Sequence, residues 1–361
     1  IYFIVILNSL VLFLSIDYFF GAKLFNFDPV NLNQDFRLQH KIFSHTLKPD
    51  YEGTAAWNNQ LYKVCTNSLG FKSYCGDTSK LNTEYDLVFI GDSFTEAIGM
   101  NFEDSFVGFV SQSFPELTVG NMGVSSYSPS IYLAKVKNYL NKGLSMKHLI
   151  VYIDISDIQD EVRRVFENDI VKNESLITTD KPNLSEEFNL LSLKIFLYEH
   201  LPASHFLLRT LRNFILGKPD PENYHFDYER GSWTFNADSK GYGEIGVNGA
   251  VERAITNMQI LFNLLNERNI QLSIAVYPWP GQLLHETGES LQVRIWRDFC
   301  IKRCTMFIES FTSFNKVKNQ LSARKTIEKY YLKGDIHFNQ AGNNLLAQDF
   351  INSFEEYQKG I

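Results

Sequence analysis

A serine hydroxyl attacks an acyl carbon only when a base at hydrogen-bond distance takes its proton. Two stretches of this chain offer those parts. Ile90-Gly91-Asp92-Ser93-Phe94-Thr95-Glu96 closes an apolar run, Tyr85 to Ile90, that reads as a buried strand. Ser93 is therefore expected on a turn into a helix, where its own amide can face a developing oxyanion. Near the far end stands Gly334-Asp335-Ile336-His337-Phe338-Asn339, just before the last helical stretch. There Asp335 can fix the tautomer of His337, and Asn339 suits the cap of the helix that follows. Gly-Asp-Ser alone is a weak signal, since serine often merely caps a helix, and a lone histidine before a helix is usually structural. The pairing of an edge serine with an Asp-x-His loop is what points to nucleophilic catalysis. His285 lacks that context and ranks below His337.

For the two stretches to meet, the chain must bring both to one edge of a sheet. Short apolar runs alternate with amphipathic ones from residue 84 onward. The runs Tyr85–Ile90, Leu117–Val119, His148–Ile153, Gln271–Tyr277 and Met306–Ile308 read as strands. Helices are expected over about 104–114, 129–142, 250–268, 289–304 and 340–357. Strand–helix alternation predicts an α/β protein with three layers, α/β/α, around a central parallel sheet with right-handed crossovers. Residues 158–247 interrupt the rhythm with charged, proline-containing sequence and then the aromatics Tyr224, Phe226, Tyr228, Trp233, Phe235 and Tyr242. This insertion reads either as a lid that shapes a substrate site or as a peripheral elaboration packed on its own aromatics. Tyr277-Pro278-Trp279-Pro280-Gly281 ends the fourth strand, so Trp279 is either a sugar-stacking wall or a buried residue of a rigid turn.

On these motifs the chain resembles the SGNH/GDSL-type hydrolases over about 84–361, with the insertion unmatched. The resemblance implies a flavodoxin-like fold with Ser93 as nucleophile, His337 as base and Asp335 as its orienting acid. Many members space the last two as Asp-x-x-His; here the spacing is Asp-x-His, as in the alginate-acetyltransferase-like branch and related envelope proteins. A second block supplies an oxyanion-hole glycine, which maps to Gly123 in Asn121-Met122-Gly123 rather than to Gly120. The third block is usually Gly-x-Asn-Asp. Here it reads Asp154-Ile155-Ser156-Asp157, so Ser156 stands where the asparagine donor is expected. Loss of one oxyanion donor costs about 3 kcal/mol of transition-state stabilisation. Ser93, Gly123 and Ser156 form the implied oxyanion hole, and Trp279 and Asp157 are candidate substrate contacts. A metal set of Asp154, Asp157 and Asp160 is the competing reading of the third block; no metal and no cofactor is expected.

Lys plus Arg number 34 against 41 Asp plus Glu, a net charge of −7, which argues against a nucleic-acid binder. The turn after the first strand has neither Gly-x-Gly-x-x-Gly nor a P-loop lysine, against a nucleotide-binding protein. Residues 1–20 are apolar but for Asn8, Ser9, Ser15 and Asp17. They are expected to form a transmembrane anchor or uncleaved signal, with a buried core helix as the competing reading. Residues 21–83 read as linker and leading segment. The four cysteines have no metal-site spacing. Cys65 and Cys75 are either free buried thiols or, in an oxidising compartment, a bridge worth roughly 2–3 kcal/mol. The resulting expectation is a membrane-anchored, extracytoplasmic (periplasmic or extracellular) ester hydrolase or O-acetyltransferase acting on an acylated carbohydrate. The alternative is a weakly active or inactive glycan-binding or assembly protein on the same scaffold.

Overall fold

A computed structural model describes residues 2–21, 36–58, 60–76, 83–163 and 229–360, with a few positions between 200 and 211. Most of the insertion, including Tyr224, Phe226 and Tyr228, lies outside the described residues.

Helix α1 (Tyr2–Ile16) comes first. Strands β1 (Arg37–His40) and β2 (Ser44–Leu47) form one antiparallel hairpin, and β3 (Glu52–Trp57) and β4 (Gln60–Cys65) form another. The described part of the segment read as linker and leading segment, residues 36–58 and 60–76, therefore folds on the domain. Its strands show no clean alternation because they are short and only partly buried, with core anchors such as Phe36, Phe43, Tyr62 and Val64 spread unevenly.

The central sheet holds β5 (Glu84–Gly91), β6 (Val119–Asn121), β7 (Ser145–Ile153), β8 (Gln271–Val276) and β9 (Phe307–Glu309), all parallel, in the order β6-β5-β7-β8-β9. Val88, Phe89 and Ile90 of β5 and Leu149, Ile150 and Val151 of β7 are wholly buried, as expected of strands covered on both faces. Strand β6 starts two residues later than its apolar run. Thr118 instead turns onto Asp86, its amide and hydroxyl both donating to that carboxylate at 2.8 and 2.7 Å.

Helix α2 (Ser93–Glu96) follows β5, and α3 (Phe106–Ser113) and α4 (Pro129–Asn141) flank β6 in sequence. Helices α5 (Asp157–Arg163) and α6 (Gly246–Asn266) precede β8, then come α7 (Pro280–His285) and α8 (Leu291–Cys300). After β9 follow α9 (Phe311–Leu321), α10 (Ala323–Tyr330) and α11 (Gln340–Gln358). Helix α3 packs on α11, and α4 packs on α6. Right-handed crossovers put these two pairs on opposite faces, which gives the three layers. The path runs from β5 outward to β6 and then back past it to β7, so the sheet has a switch point between β5 and β7. Ligands bind outside the carboxyl ends of the strands at such a point. Ser93 and Ser156 both follow those ends.

The expected membrane-spanning helix finds no support in the described residues. Among the described residues, no helix is long and apolar enough to cross a membrane. The regular ladder of α1 stops at Ile16, and Asp17–Gly21 continues as a wider π-type turn. Buried Asp17 breaks the apolar run to accept hydrogen bonds from the amides of Ala203 and Ser204, at 2.8 and 2.7 Å.

Both cysteine pairs are disulfides, Cys65–Cys75 and Cys300–Cys304. The first ties the base of the β3–β4 hairpin.

Candidate active site

Gly91, the last residue of β5, lets α2 turn tightly off the strand. A Cβ there would stand 2.1 Å from Thr95 Oγ1 and 2.7 Å from the Tyr152 carbonyl. Asp92 caps α2 by accepting the Phe94 amide at 3.0 Å. Ser93 is thereby fixed as the first helical residue, whose amide has no carbonyl one turn back to donate to.

The second stretch arrives from the loop between α10 and α11. The Leu332 amide donates to the His337 carbonyl, and Asn339 caps α11 through the Gly342 amide. The Asn339 side chain also donates back to the carbonyls of Lys329 and Tyr331, which pins the loop on both sides. Within it, Asp335 Oδ1 accepts the His337 amide at 2.9 Å and faces His337 Nδ1 at 2.6 Å. The Asp-x-His spacing is what permits this double contact, because a carboxylate naturally caps the amide two residues on. His337 Nε2 then lies 2.8 Å from Ser93 Oγ. Ser93, His337 and Asp335 thus form one continuous chain of hydrogen bonds at the predicted edge of the sheet.

Sequence reasoning missed one neighbour of that chain. Trp57, at the end of β3, donates its indole N–H to Asp335 Oδ2 at 2.7 Å, and its ring stands perpendicular to His337 with centroids 5.3 Å apart. Burial pushes the Asp335 carboxyl up, but the hydrogen bonds from His337 and Trp57 outweigh it and hold the group below its ordinary value. Asp335 is therefore an anion aimed at the imidazole, the electrostatic arrangement that stabilises an imidazolium.

The three groups open into a pocket of about 310 Å³, walled also by Trp57, Ser125, Ser126 and Ser156. Arg230, from the described end of the insertion, reaches the same pocket and is ion-paired with Asp160. Trp233, also from the insertion, is buried and donates to the Ile155 carbonyl at 2.8 Å. The described part of the insertion thus braces the third block and lines the pocket.

The remaining candidates divide. Ser156 lines the pocket, its amide donating to Asp154 Oδ1 at 2.7 Å. Gly123 does not offer its amide there. That N–H donates to Asn121 Oδ1 at 3.0 Å, and the glycine serves close packing, since a Cβ would stand 2.7 Å from the Glu96 amide nitrogen. Asp157 is corrected as a substrate contact. It is fully buried beneath the pocket, where its Oδ2 accepts the Tyr132 hydroxyl at 2.8 Å. Trp279 lines the pocket but is 2 % exposed, too covered for a sugar to stack on its face. The backbone of Gly231 packs against that indole, and its N–H is held by Asp154 Oδ2 at 2.5 Å. Trp279 is a buried residue at the N-terminus of α7.

Asp154, Asp157 and Asp160 do not converge as a set, because Asp160 is turned to Arg230. Asp92, Asp154 and Asp157 do, with carboxylate oxygens within 4.8 Å of one another. Burial, and then the neighbouring carboxylates, push Asp92 and Asp157 well above the ordinary range. Burial also raises Asp154, against hydrogen bonds from Ser156 and Trp279. Such a cluster holds protons, since three adjacent buried carboxylates cannot all ionise.

No family profile matches the sequence, and a search of curated proteins finds no match. Among solved structures, the chain is similar to a catalytic mutant of Axe2, an acetylxylan esterase from Geobacillus stearothermophilus, at 13 % identity and a TM-score of 0.41, over 74 % of this chain and 93 % of that one. It is similar to a lipolytic protein of the G-D-S-L family from Veillonella parvula at 10 % identity and a TM-score of 0.40, over 75 % and 98 %. A putative GDSL-like lipase from Parabacteroides merdae follows at 12 % and 0.39, over 76 % and 99 %. Likeness at this level gives no weight to any particular chemistry, which rests on the site itself.

Proposed function

We propose that the chain is a serine-dependent ester hydrolase or acyl transferase whose nucleophile is Ser93. The observation that carries this reading is the continuous contact Ser93 Oγ–His337 Nε2–His337 Nδ1–Asp335 Oδ1, at 2.8 and 2.6 Å. His337 takes the hydroxyl proton as Oγ bonds to the acyl carbon, and returns it to the leaving alcohol as the ester bond breaks. Asp335 stabilises the imidazolium between those events. The Ser93 amide faces the tetrahedral oxyanion, and the Ser156 hydroxyl joins it by rotating toward the pocket. Gly123 contributes only if Asn121 releases its amide.

The substrate class is an O-acyl group, an acetyl ester foremost, on a cell-envelope or exported glycan. The short polar wall of Ser125, Ser126 and Ser156 beside Trp57 suits a small acyl group on a hydroxylated partner. Two disulfides accord with an oxidising, extracytoplasmic compartment. Exposed apolar side chains along α1, among them Leu10, Leu12 and Phe13, accord with seating on a membrane.

Release of nitrophenol from p-nitrophenyl acetate, lost in Ser93→Ala, tests the chemistry. Covalent labelling of Ser93 by a fluorophosphonate tests the nucleophile. If the folded wild type shows neither, the non-catalytic glycan-binding reading replaces this one.

A further inference from the structure

The β3–β4 hairpin lies well before the Gly-Asp-Ser turn in sequence, yet its tip meets the Asp335 loop. Besides Trp57, Asn58 at the turn donates its side-chain amide to the Lys333 carbonyl at 2.5 Å. At the other end the hairpin is tied by the Cys65–Cys75 bridge, and the Lys63 amide donates to Asn101 Oδ1 at 2.8 Å. The hairpin is thus held at its base and applied at its tip to the loop that carries Asp335 and His337.

The contact is specific in its atoms. Asp335 Oδ1 accepts from the amide and faces the ring of His337, so Oδ2 is the oxygen open to a further donor. Among the described residues, Trp57 supplies that donor to Oδ2, at 2.7 Å. An indole that only packed on the loop would not need its N–H there. With Oδ2 held, the carboxylate cannot rotate Oδ1 away from Nδ1, and the imidazole keeps Nε2 toward Ser93.

We propose that Trp57 is a positioning residue of the catalytic centre, acting through Asp335 to hold His337 in the orientation that accepts the Ser93 proton. This rests on the serine-hydrolase reading above. It makes the leading hairpin part of the catalytic unit.

The test uses Trp57→Phe and Trp57→Ala in the full chain. Phenylalanine keeps a ring against His337 and removes only the N–H. With p-nitrophenyl acetate across pH 5 to 9, Trp57→Phe should lower kcat roughly tenfold, as fits one hydrogen bond to a charged group. KM should hardly change, and the acid limb of kcat/KM should move to higher pH, because Asp335 is less well held as an anion. Trp57→Ala should lower kcat further. A Trp57→Phe protein with wild-type kcat and an unmoved acid limb overturns the proposal. Should the wild type itself neither turn over ester nor label at Ser93, the hydrolase reading fails, and a second measurement decides the role of Trp57. That measurement is the titration of the Asp335 carboxyl carbon by NMR. A midpoint raised in Trp57→Phe supports the positioning role; an unchanged midpoint overturns it.

Discussion

Ser93 Oγ lies 3.2 Å from Oδ2 of Asp92, the residue immediately before it. The hydroxyl has one proton, and His337 Nε2 waits for it at 2.8 Å. An ionised Asp92 would compete for that proton. Burial and the Asp154 carboxylate push Asp92 well above the usual range, which disfavours its charged form and weakens that competition. Oδ1 of Asp92 meanwhile accepts the Phe94 amide and the Tyr277 hydroxyl, at 3.0 and 3.2 Å. Asparagine reproduces a neutral acceptor and an adequate helix cap. Asp92→Asn should therefore keep kcat on an activated acetate within a few-fold of wild type. Asp92→Ala, which removes the cap as well, should lose about 1 kcal/mol of stability and more of the rate. An Asp92→Asn protein as dead as Ser93→Ala would show that the charge on Asp92 is needed after all.

The opposite charge requirement holds at Asp335, which is held ionised. Asp335→Asn removes the anion that stabilises the imidazolium and allows the wrong tautomer of His337. In a serine protease triad the same change lowers kcat by about 10⁴-fold. A loss of roughly 10³- to 10⁴-fold in kcat is expected here, with KM little altered and Tm near wild type. Stopped-flow assay of the first turnover would place the loss in acylation.

Asp157 carries a stability consequence. Burial, Asp92 and Asp154 raise its folded value well above that of the unfolded chain. The native state then binds more protons, so the stability from this group is complete below the ordinary carboxylate range and is lost as pH rises through the raised value. Among the described residues, the buried Asp157 Oδ1 moreover has no hydrogen-bond partner. Asp157→Asn offers that position an N–H and removes the charge problem. Urea unfolding should show the variant more stable than wild type at pH 8, by about 1 kcal/mol or more, and the gain should vanish at pH 4.

Lys135 behaves in the reverse sense. It is fully buried, donating to the Met122 carbonyl at 3.0 Å, with the Tyr127 ring 4.8 Å from its ammonium. Burial brings it down to about 7 from 10.5. Between those values the unfolded chain holds a proton that the folded chain gives up, so stability rises with pH across that window. Relative to Lys135→Met, wild type should gain stability from pH 7 to pH 10, at roughly 1.4 kcal/mol per unit of displacement as an upper bound. Buried Lys72, brought down to about 8, is present in both proteins and cancels in the difference. Parallel curves for the two proteins would mean that water reaches Lys135.

The two disulfides should differ in worth. Cys65–Cys75 spans 10 positions and Cys300–Cys304 spans 4. The entropy removed from the unfolded chain grows with the loop enclosed. Replacing the first pair by serine should cost roughly 2–3 kcal/mol, and replacing the second should cost less. Differential scanning calorimetry of the two double variants measures this directly. The first should also lower kcat, because the hairpin it ties carries Trp57.

How much was legible follows from where each signal resides. Strands β5, β7 and β8 are long apolar runs buried on both faces, and such runs are visible in any window of sequence. Helices α4, α6 and α11 were likewise expected close to their observed ranges. Helices α9 and α10 were not, because their buried faces rest on few residues, Phe311 and Phe314 in one and Thr326, Ile327 and Tyr330 in the other. Hairpins β1–β2 and β3–β4 gave no readable period because each is completed by the domain it packs on. Gly123 and Asp157 were placed by motif position alone. Neither the hydrogen bond that occupies the one nor the burial of the other leaves a trace in local pattern.

The sequence by itself determined the parallel α/β scaffold, and it determined that Ser93 leaves one strand end while Asp335 and His337 precede the final helix. Those features are local: apolar runs, turn residues and short spacings, each fixed by backbone sterics and burial within a few positions. Tertiary structure alone decided that Trp57 meets Asp335 across 278 positions, that three carboxylates crowd behind the nucleophile, and that Trp279 is covered. These are contacts between segments with no shared period, and their energies exist only once the intervening chain has packed.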